Sequence, residues 1–247
     1  MKKLGIIGGL GPMATAYFMQ ILIEMTKADT DQEHIEMIIY NSPQIPDRTS
    51  YILGKSEESP LPYFVSIAEK LAQQEAEVLA IPCVTAHYFH KEVEMASNVP
   101  IINAVEETAK YLKSRGYQKV GIMATDGTVE KGIISHELEK YGIVSICPNA
   151  EQQKMVMQLI YGDVKSGHAV EWELFEQVAE SLFTNGAEVI ILGCTELSII
   201  KKDRGIKEGY LDVLEVLARA CVKECGVLKE EYQELLPEIK GGETDAE

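Results

Sequence analysis

The chain has 247 residues, 46% hydrophobic and 25% charged, an ordinary composition for a globular protein of one large or two small domains. A formal net charge of −16 argues against nucleic acid and anionic membrane surfaces as partners, and an anionic ligand would need a local cationic pocket. No apolar run reaches the roughly 18 residues of a membrane span, and Met1-Lys2-Lys3 leads into a strand rather than a signal peptide, so the five cysteines are expected reduced, in a cytoplasm.

Residues 4–7 read as a buried strand, and the glycine-rich turn at 8–15 opens a helical pattern over 17–26. Residues 36–40 form a second strand, which runs into a proline-broken loop at 41–49. Ser59-Pro60 has the form of a helix start, with Ser as N-cap and the helix running through Gln74. A third strand at 78–81 delivers Cys83, followed by a helix to about 96 and a short strand at 99–102. A helix at 104–114 stops at Gly116. The pattern then restarts with strand 119–124, turn 125–128, helix 129–140, strand 142–146 and helices 151–164 and 169–185. Strand 189–192 delivers Cys194, and the last strong helix spans 211–225. From 229 to 247 there are seven acids against two lysines, predicting an acidic tail solvated from Gly241 onward.

Such alternation implies parallel sheets with helices on both faces, and the restart near Gly116 suggests two similar α/β halves. Ligands in such folds sit beyond the carboxyl ends of strands. Ile-Pro-Cys-Val-Thr-Ala-His at 81–87 and Leu-Gly-Cys-Thr-Glu-Leu at 192–197 each place a thiol there, at the start of a helix. A helix N-terminus stabilises thiolate, so both thiols are expected to be activated, and a cleft between the halves would bring Cys83 and Cys194 face to face.

Other residues carry two readings each. Gly9, Gly11 and Ala14 fit a dinucleotide-binding turn, but the second strand ends in Tyr40-Asn41 rather than an acid, and Pro12 removes an N–H; close approach to a small ligand fits better. Arg48 suits bidentate carboxylate recognition or a loop-stabilising pair with Asp47. Lys165 reads as a partner of a helix C-terminus. His87 either tunes Cys83 or is a satisfied structural histidine; Glu196 either relays protons for Cys194 or, the preferred reading, favours the helix N-terminus. Thr128 is an N-cap or a ligand hydroxyl. Cys147, Cys221 and Cys225 read as inert buried thiols, and no cysteine or histidine spacing supports a metal site.

Taken together, Gly8-Gly9-Leu10-Gly11-Pro12 with Ala14-Thr15, Ile45 to Thr49, Pro82-Cys83 with Thr85-Ala86-His87, Ala124 with Thr128, Val164 to Gly167, and Gly193 to Glu196 resemble the aspartate/glutamate racemase family, from Leu4 to about Cys225. The resemblance implies two pseudo-symmetric parallel-sheet α/β domains with the active site in the cleft between them. Residues 1–103 with 208–228 would form the first and 104–207 the second, with 229–247 as the acidic tail. It implies a cofactor-independent amino-acid racemase, commonly a homodimer, in which Cys83 and Cys194 act as opposed acid and base. By the same resemblance, Arg48 and Lys165 bind an acidic substrate, aspartate or glutamate. Thr85, Thr128 and Thr195 supply hydroxyls, while the glycine turn with Gly11 and Met13, together with Glu196, lines the site. The family usually has Asn where this chain has Val84, which puts substrate identity in question. A superfamily isomerase or decarboxylase, or a non-catalytic binding protein, is the alternative; both cysteines speak against a decarboxylase.

Overall fold

The computed structural model describes residues 1–239. Among the described residues, seven strands form two parallel sheets. In the first, β1 (Leu4–Gly8) lies between β2 (Met37–Asn41) and β3 (Val78–Ala80). In the second, β4 (Lys119–Ala124) and β6 (Val189–Gly193) are central, flanked by β5 (Val144–Ile146) and β7 (Tyr210–Asp212). All the pairings are parallel, so both faces must be covered, and β1 and β6 are buried along their whole length.

Side-chain alternation divides the core into three. Leu4 and Ile6 of β1, Val120 and Ile122 of β4, and Val189 and Ile191 of β6 share one cluster with the helices Pro12–Met25, Ala104–Ser114 and Val213–Cys225. That cluster joins the two sheets. Ile7 and Leu79 face a second cluster under Leu61–Gln73 and His90–Ser97. Met123, Ile190 and Leu192 face a third under Ala150–Met157 and Trp172–Thr184. With one continuous core between the sheets, the carboxyl ends of β1, β3, β4 and β6 converge on one region.

Several elements differ from the sequence expectation. The strand at 99–102 shrinks to a bridge between Leu79 and Ile101, because Pro100 has no N–H to extend the ladder. The helix at 129–140 is broken into Asp126–Glu130 and Ser135–Lys140 by Gly132, at φ +61°. The helix at 211–225 loses its first residues to β7, because the Asp212 carboxylate accepts from Leu214 N–H and starts the helix at Val213. Tyr210–Asp212 thus belongs to the second sheet, and only the helix after it crosses to pack on Pro12–Met25.

Residues 227–239 are anchored to the fold through Leu228 and Leu236; the stretch expected to be solvated from Gly241 lies outside the described residues. Leu228 bridges to Thr26, and Ile239 N–H donates to Arg115 carbonyl. Between them the Tyr111 hydroxyl accepts from Leu235 N–H at 2.6 Å and Leu236 N–H at 2.8 Å. Tyr111→Phe strands both donors, Leu236 being buried, and is expected to cost about 1–3 kcal/mol in a urea titration. An unchanged urea midpoint would mean that the strap contributes nothing to the fold.

Candidate active site

Cys83 and Cys194 are held by the same local device on the two sheets. Each stands just beyond a strand as the residue before a helical segment, with extended backbone (φ −160°, ψ 111° and φ −150°, ψ 137°). Cys83 precedes a 3-10 stretch, Val84–Phe89, rather than the α-helix expected; Cys194 precedes the helix Thr195–Arg204. Both thiols line one narrow cavity of about 10 Å³.

Val84 and Thr85 join the wall beside Cys83, and Thr195 and Glu196 beside Cys194. Asp47, Arg48 and Thr49 enter from the loop after β2. Asp47 caps the short helix Arg48–Ile52 by accepting from Ser50 N–H at 2.7 Å, which turns Arg48 inward. Lys165 and Tyr161 come from a π-helical stretch, Gln158–Val164, that continues Ala150–Met157; Lys165 N–H closes it onto Ile160 carbonyl. The wider turn brings both side chains to the cavity wall. Lys165 is therefore part of the site and not merely a helix-end charge.

A wider outer pocket adjoins the cavity, sharing Asp47, Arg48, Tyr161, Lys165 and Glu196 with it. Gly11 and Met13 line this outer pocket, not the thiol cavity. Gly9 is fixed by the close pass of the next loop: at φ +93°, a Cβ would meet Ser42 backbone at 2.4 Å. Thr128 lies behind the wall. Its hydroxyl is 3.0 Å from Thr85 and 3.1 Å from Thr125, which are themselves 2.9 Å apart, so three hydroxyls link the Cys83 turn to the end of β4. Thr125, unlike Thr128, lines the cavity.

Tyr161 and Thr125 were not singled out from the sequence. Tyr161 sits four residues before Lys165, whose ammonium lies 4.1 Å from its ring centroid, and its hydroxyl donates to Asp47 at 3.0 Å. Burial raises the Tyr161 phenol to about 12. The Asp47 carboxyl is held below its ordinary value against burial by Ser50, Tyr161 and Lys165.

The electrostatics correct one expectation. Cys194 sits at a helix N-terminus, yet burial, and then the Glu196 carboxylate, push its thiol well above the ordinary value; Lys165 opposes this only in part. Cys194 is thus a protonated thiol, donating to Glu196 Oε2 at 2.9 Å. Arg48 stays charged despite burial because it faces Cys83 and Asp47. Its Nη1 donates to Ile45 and Pro46 carbonyls, whereas its buried Nε has no partner. Lys165, partly exposed, is held charged against partial desolvation by Glu196 and Cys194.

His87 resolves to its structural role. Nε2 accepts from Ala104 N–H at 3.0 Å, so Nδ1 carries the proton and donates to Cys83 carbonyl at 3.0 Å. The ring fastens the Cys83 turn to the start of Ala104–Ser114. Cys221 and Cys225 are buried in the shared core, while Cys147 is exposed and away from the cavity, contrary to the buried reading.

The comparisons follow this geometry. A family model described as Asp/Glu/Hydantoin racemase matches residues 7–221. The chain belongs to the Asp/Glu/hydantoin racemase family. The aspartate racemase of Picrophilus torridus superposes with a TM-score of 0.82 at 33% identity, covering 94% of this chain and 98% of that one. An aspartate racemase homologue from Pyrococcus horikoshii gives 0.73 at 25% identity, over 91% and 99%. RacX of Bacillus subtilis, a broad specificity amino-acid racemase, is 26% identical over 223 residues, 89% of this chain and 96% of the relative. The two-sheet α/β architecture is that of the racemase structures. Among the described residues no helix is long and apolar enough to cross a membrane.

Two buried groups near the site titrate with opposite sign. Burial lowers His87 from 6.5 to about 4, so the unfolded chain takes up a proton that the fold refuses, and stability falls as pH drops through that window. Asp212, which accepts from Ser198 on the Cys194 helix at 2.7 Å, is raised from 3.8 to about 7 by burial and then by Glu215. Here the fold holds the extra proton, and stability falls as pH rises from about 4 to 7. In urea titrations across this range, Asp212→Asn should unmask stability that rises with pH, and His87→Gln stability that falls with pH. Slopes of the same sign in both variants would contradict these protonation states.

Proposed function

We propose that the protein is a cofactor-independent racemase of an acidic amino acid, aspartate or glutamate. The observation that carries this reading is the meeting of two cysteines, one from each sheet, in one narrow cavity. Inversion at Cα needs a base on one face and an acid on the other. Thiols can serve in both roles, one as thiolate and the other as thiol. One thiolate removes the α-proton and the other thiol delivers a proton to the opposite face; the reverse reaction exchanges the roles.

Two cations flank the thiols, buried Arg48 on the Cys83 side and partly exposed Lys165 on the Cys194 side. The unpartnered Nε of Arg48 offers a charge-assisted bond to a carboxylate in a protein otherwise strongly acidic. Cations at both ends of the cavity stabilise the charge that builds on the substrate α-carboxylate at the transition state and also select an acidic side chain. Thr85 and Thr195 offer hydroxyls from the wall. The reading includes two domains, residues 1–103 with 208–228 and residues 104–207, although strand Tyr210–Asp212 pairs with the second sheet, and a cytoplasmic homodimer. Val84 supports a second reading, a racemase of wider or non-acidic scope. Its side chain is an apolar piece of wall where the family usually places an amide, and RacX is named for broad specificity.

The test is exchange of Cα–H in deuterated water over a panel of L- and D-amino acids. Inversion with deuterium at Cα of aspartate or glutamate is expected, and exchange confined to non-acidic amino acids favours the second reading. Cys83→Ser and Cys194→Ser should each lower kcat by about 10²–10⁴-fold; near-normal turnover in either would remove the two-thiol mechanism. Arg48→Ala should raise KM for the acidic substrate by about 10- to 100-fold, the worth of one charged hydrogen bond. An unchanged KM would end the argument for an acidic substrate.

A further inference from the structure

The two thiols differ in their route to solvent protons. Cys194 Sγ donates to Glu196 Oε2 at 2.9 Å, and Glu196 lines both the thiol cavity and the outer pocket. Cys83 faces Arg48, whose guanidinium stays protonated and cannot pass protons on. Neither thiol lines the outer pocket. The carboxylate oxygens of Glu196 meet the Cys194 thiol, the Thr195 hydroxyl at 3.3 Å and the Lys165 ammonium at 4.0 Å, an environment built around a proton rather than around a helix end.

On the racemase reading, one turnover begun by Cys83 leaves a problem. Cys83 now holds the proton taken from Cα, and Cys194 is a thiolate. A second substrate of the same hand cannot react until the protons return. We propose that Glu196 is the relay that resets Cys194 between turnovers. The Glu196 carboxylate first takes a proton from water in the outer pocket. The carboxyl so formed gives that proton to the Cys194 thiolate, re-forming the S–H bond and the carboxylate, and Cys83 releases its own to water entering the emptied cavity. One proton enters at Cys194 and one leaves at Cys83, so the cycle balances. Lys165 favours the carboxylate left after the transfer to Cys194.

A reset step has a kinetic signature that tuning of the chemical step lacks. When substrate and product are both well above KM, they capture the two protonation forms of the enzyme, and slow reset makes the approach to the racemate slower still. Glu196→Gln keeps an oxygen to accept from the thiol but cannot carry a proton. Well above KM its approach to the racemate should be about 10-fold or more slower than wild type, with a much smaller deficit below KM, and added formate, a small general acid, should restore the lost rate. Glu196→Asp should recover part of it. A uniform loss at all concentrations without formate rescue, or no loss at all, would overturn the relay. Failure of the wild-type protein to exchange any Cα–H would overturn the racemase reading itself, which separates the two failures.

Discussion

Four charges around one small cavity set the terms for everything else in the site. Arg48 and Asp47 stand on the Cys83 side, Lys165 and Glu196 on the Cys194 side, so formal charge in the wall is balanced while the protein as a whole carries −16. Arg48 and Glu196 are buried, Asp47 and Lys165 only partly, and ions withdrawn from water are tolerable only when paired; Asp47 is held by Ser50 and Tyr161, Arg48 by loop carbonyls and Cys83, Glu196 by Cys194, Thr195 and Lys165. Removing the partner of buried Arg48 or Glu196 leaves that charge less well paired, so such variants act on stability. The local geometry reflects this demand, from the Asp47 cap that turns Arg48 inward to the π-helical stretch that brings up Tyr161 and Lys165.

The same burial decides the character of the thiols. A helix N-terminus favours thiolate by a modest amount that falls off within the first turn. At Cys194 that contribution is outweighed by desolvation and by a carboxylate 2.9 Å away, and the thiol keeps its proton. Cys83 has the same backbone setting but a guanidinium as its neighbour, and no carboxylate hydrogen bond of the Cys194 kind. The halves resemble one another in topology; the electrostatics of their two cysteines differ.

Much of this was legible in the sequence because it rests on local signals. β1, β4 and β6, the two cysteine turns and the Arg48 loop announce themselves through apolar runs and glycine or proline punctuation. What was missed depends on partners far along the chain. Tyr161 becomes part of the site only when Asp47, 114 positions away, accepts its hydroxyl. Thr128 looks like a ligand hydroxyl until the fold places Thr85 and Thr125 in front of it. β7 was absorbed into the helix after it because Leu211 fits a helical apolar pattern as well as a strand's, and only the Asp212 cap separates them. His87 shows the same limit: nothing local says that its acceptor nitrogen will meet Ala104 N–H.

Val84 bears on substrate scope through what surrounds it. On the racemase reading it lies close to Cα, for it lines the cavity next to Cys83 and Thr85, whereas the ring of Asp47, Arg48, Tyr161, Lys165 and Glu196 is shared by the cavity and the outer pocket. An apolar residue near the reacting carbon removes one polar contact to groups that every amino acid possesses. A charged ring toward the pocket acts on the side chain, which is where amino acids differ. On the same reading, an absent amide removes one shared contact and leaves more of the discrimination to Arg48 and Lys165, so scope widens to the extent that those two bind weakly. Because Asp47 and Glu196 already compensate those two cations, the ring selects for a substrate carboxylate less sharply than two free cations would, and its selectivity follows from how far an entering carboxylate displaces the Lys165–Glu196 contact.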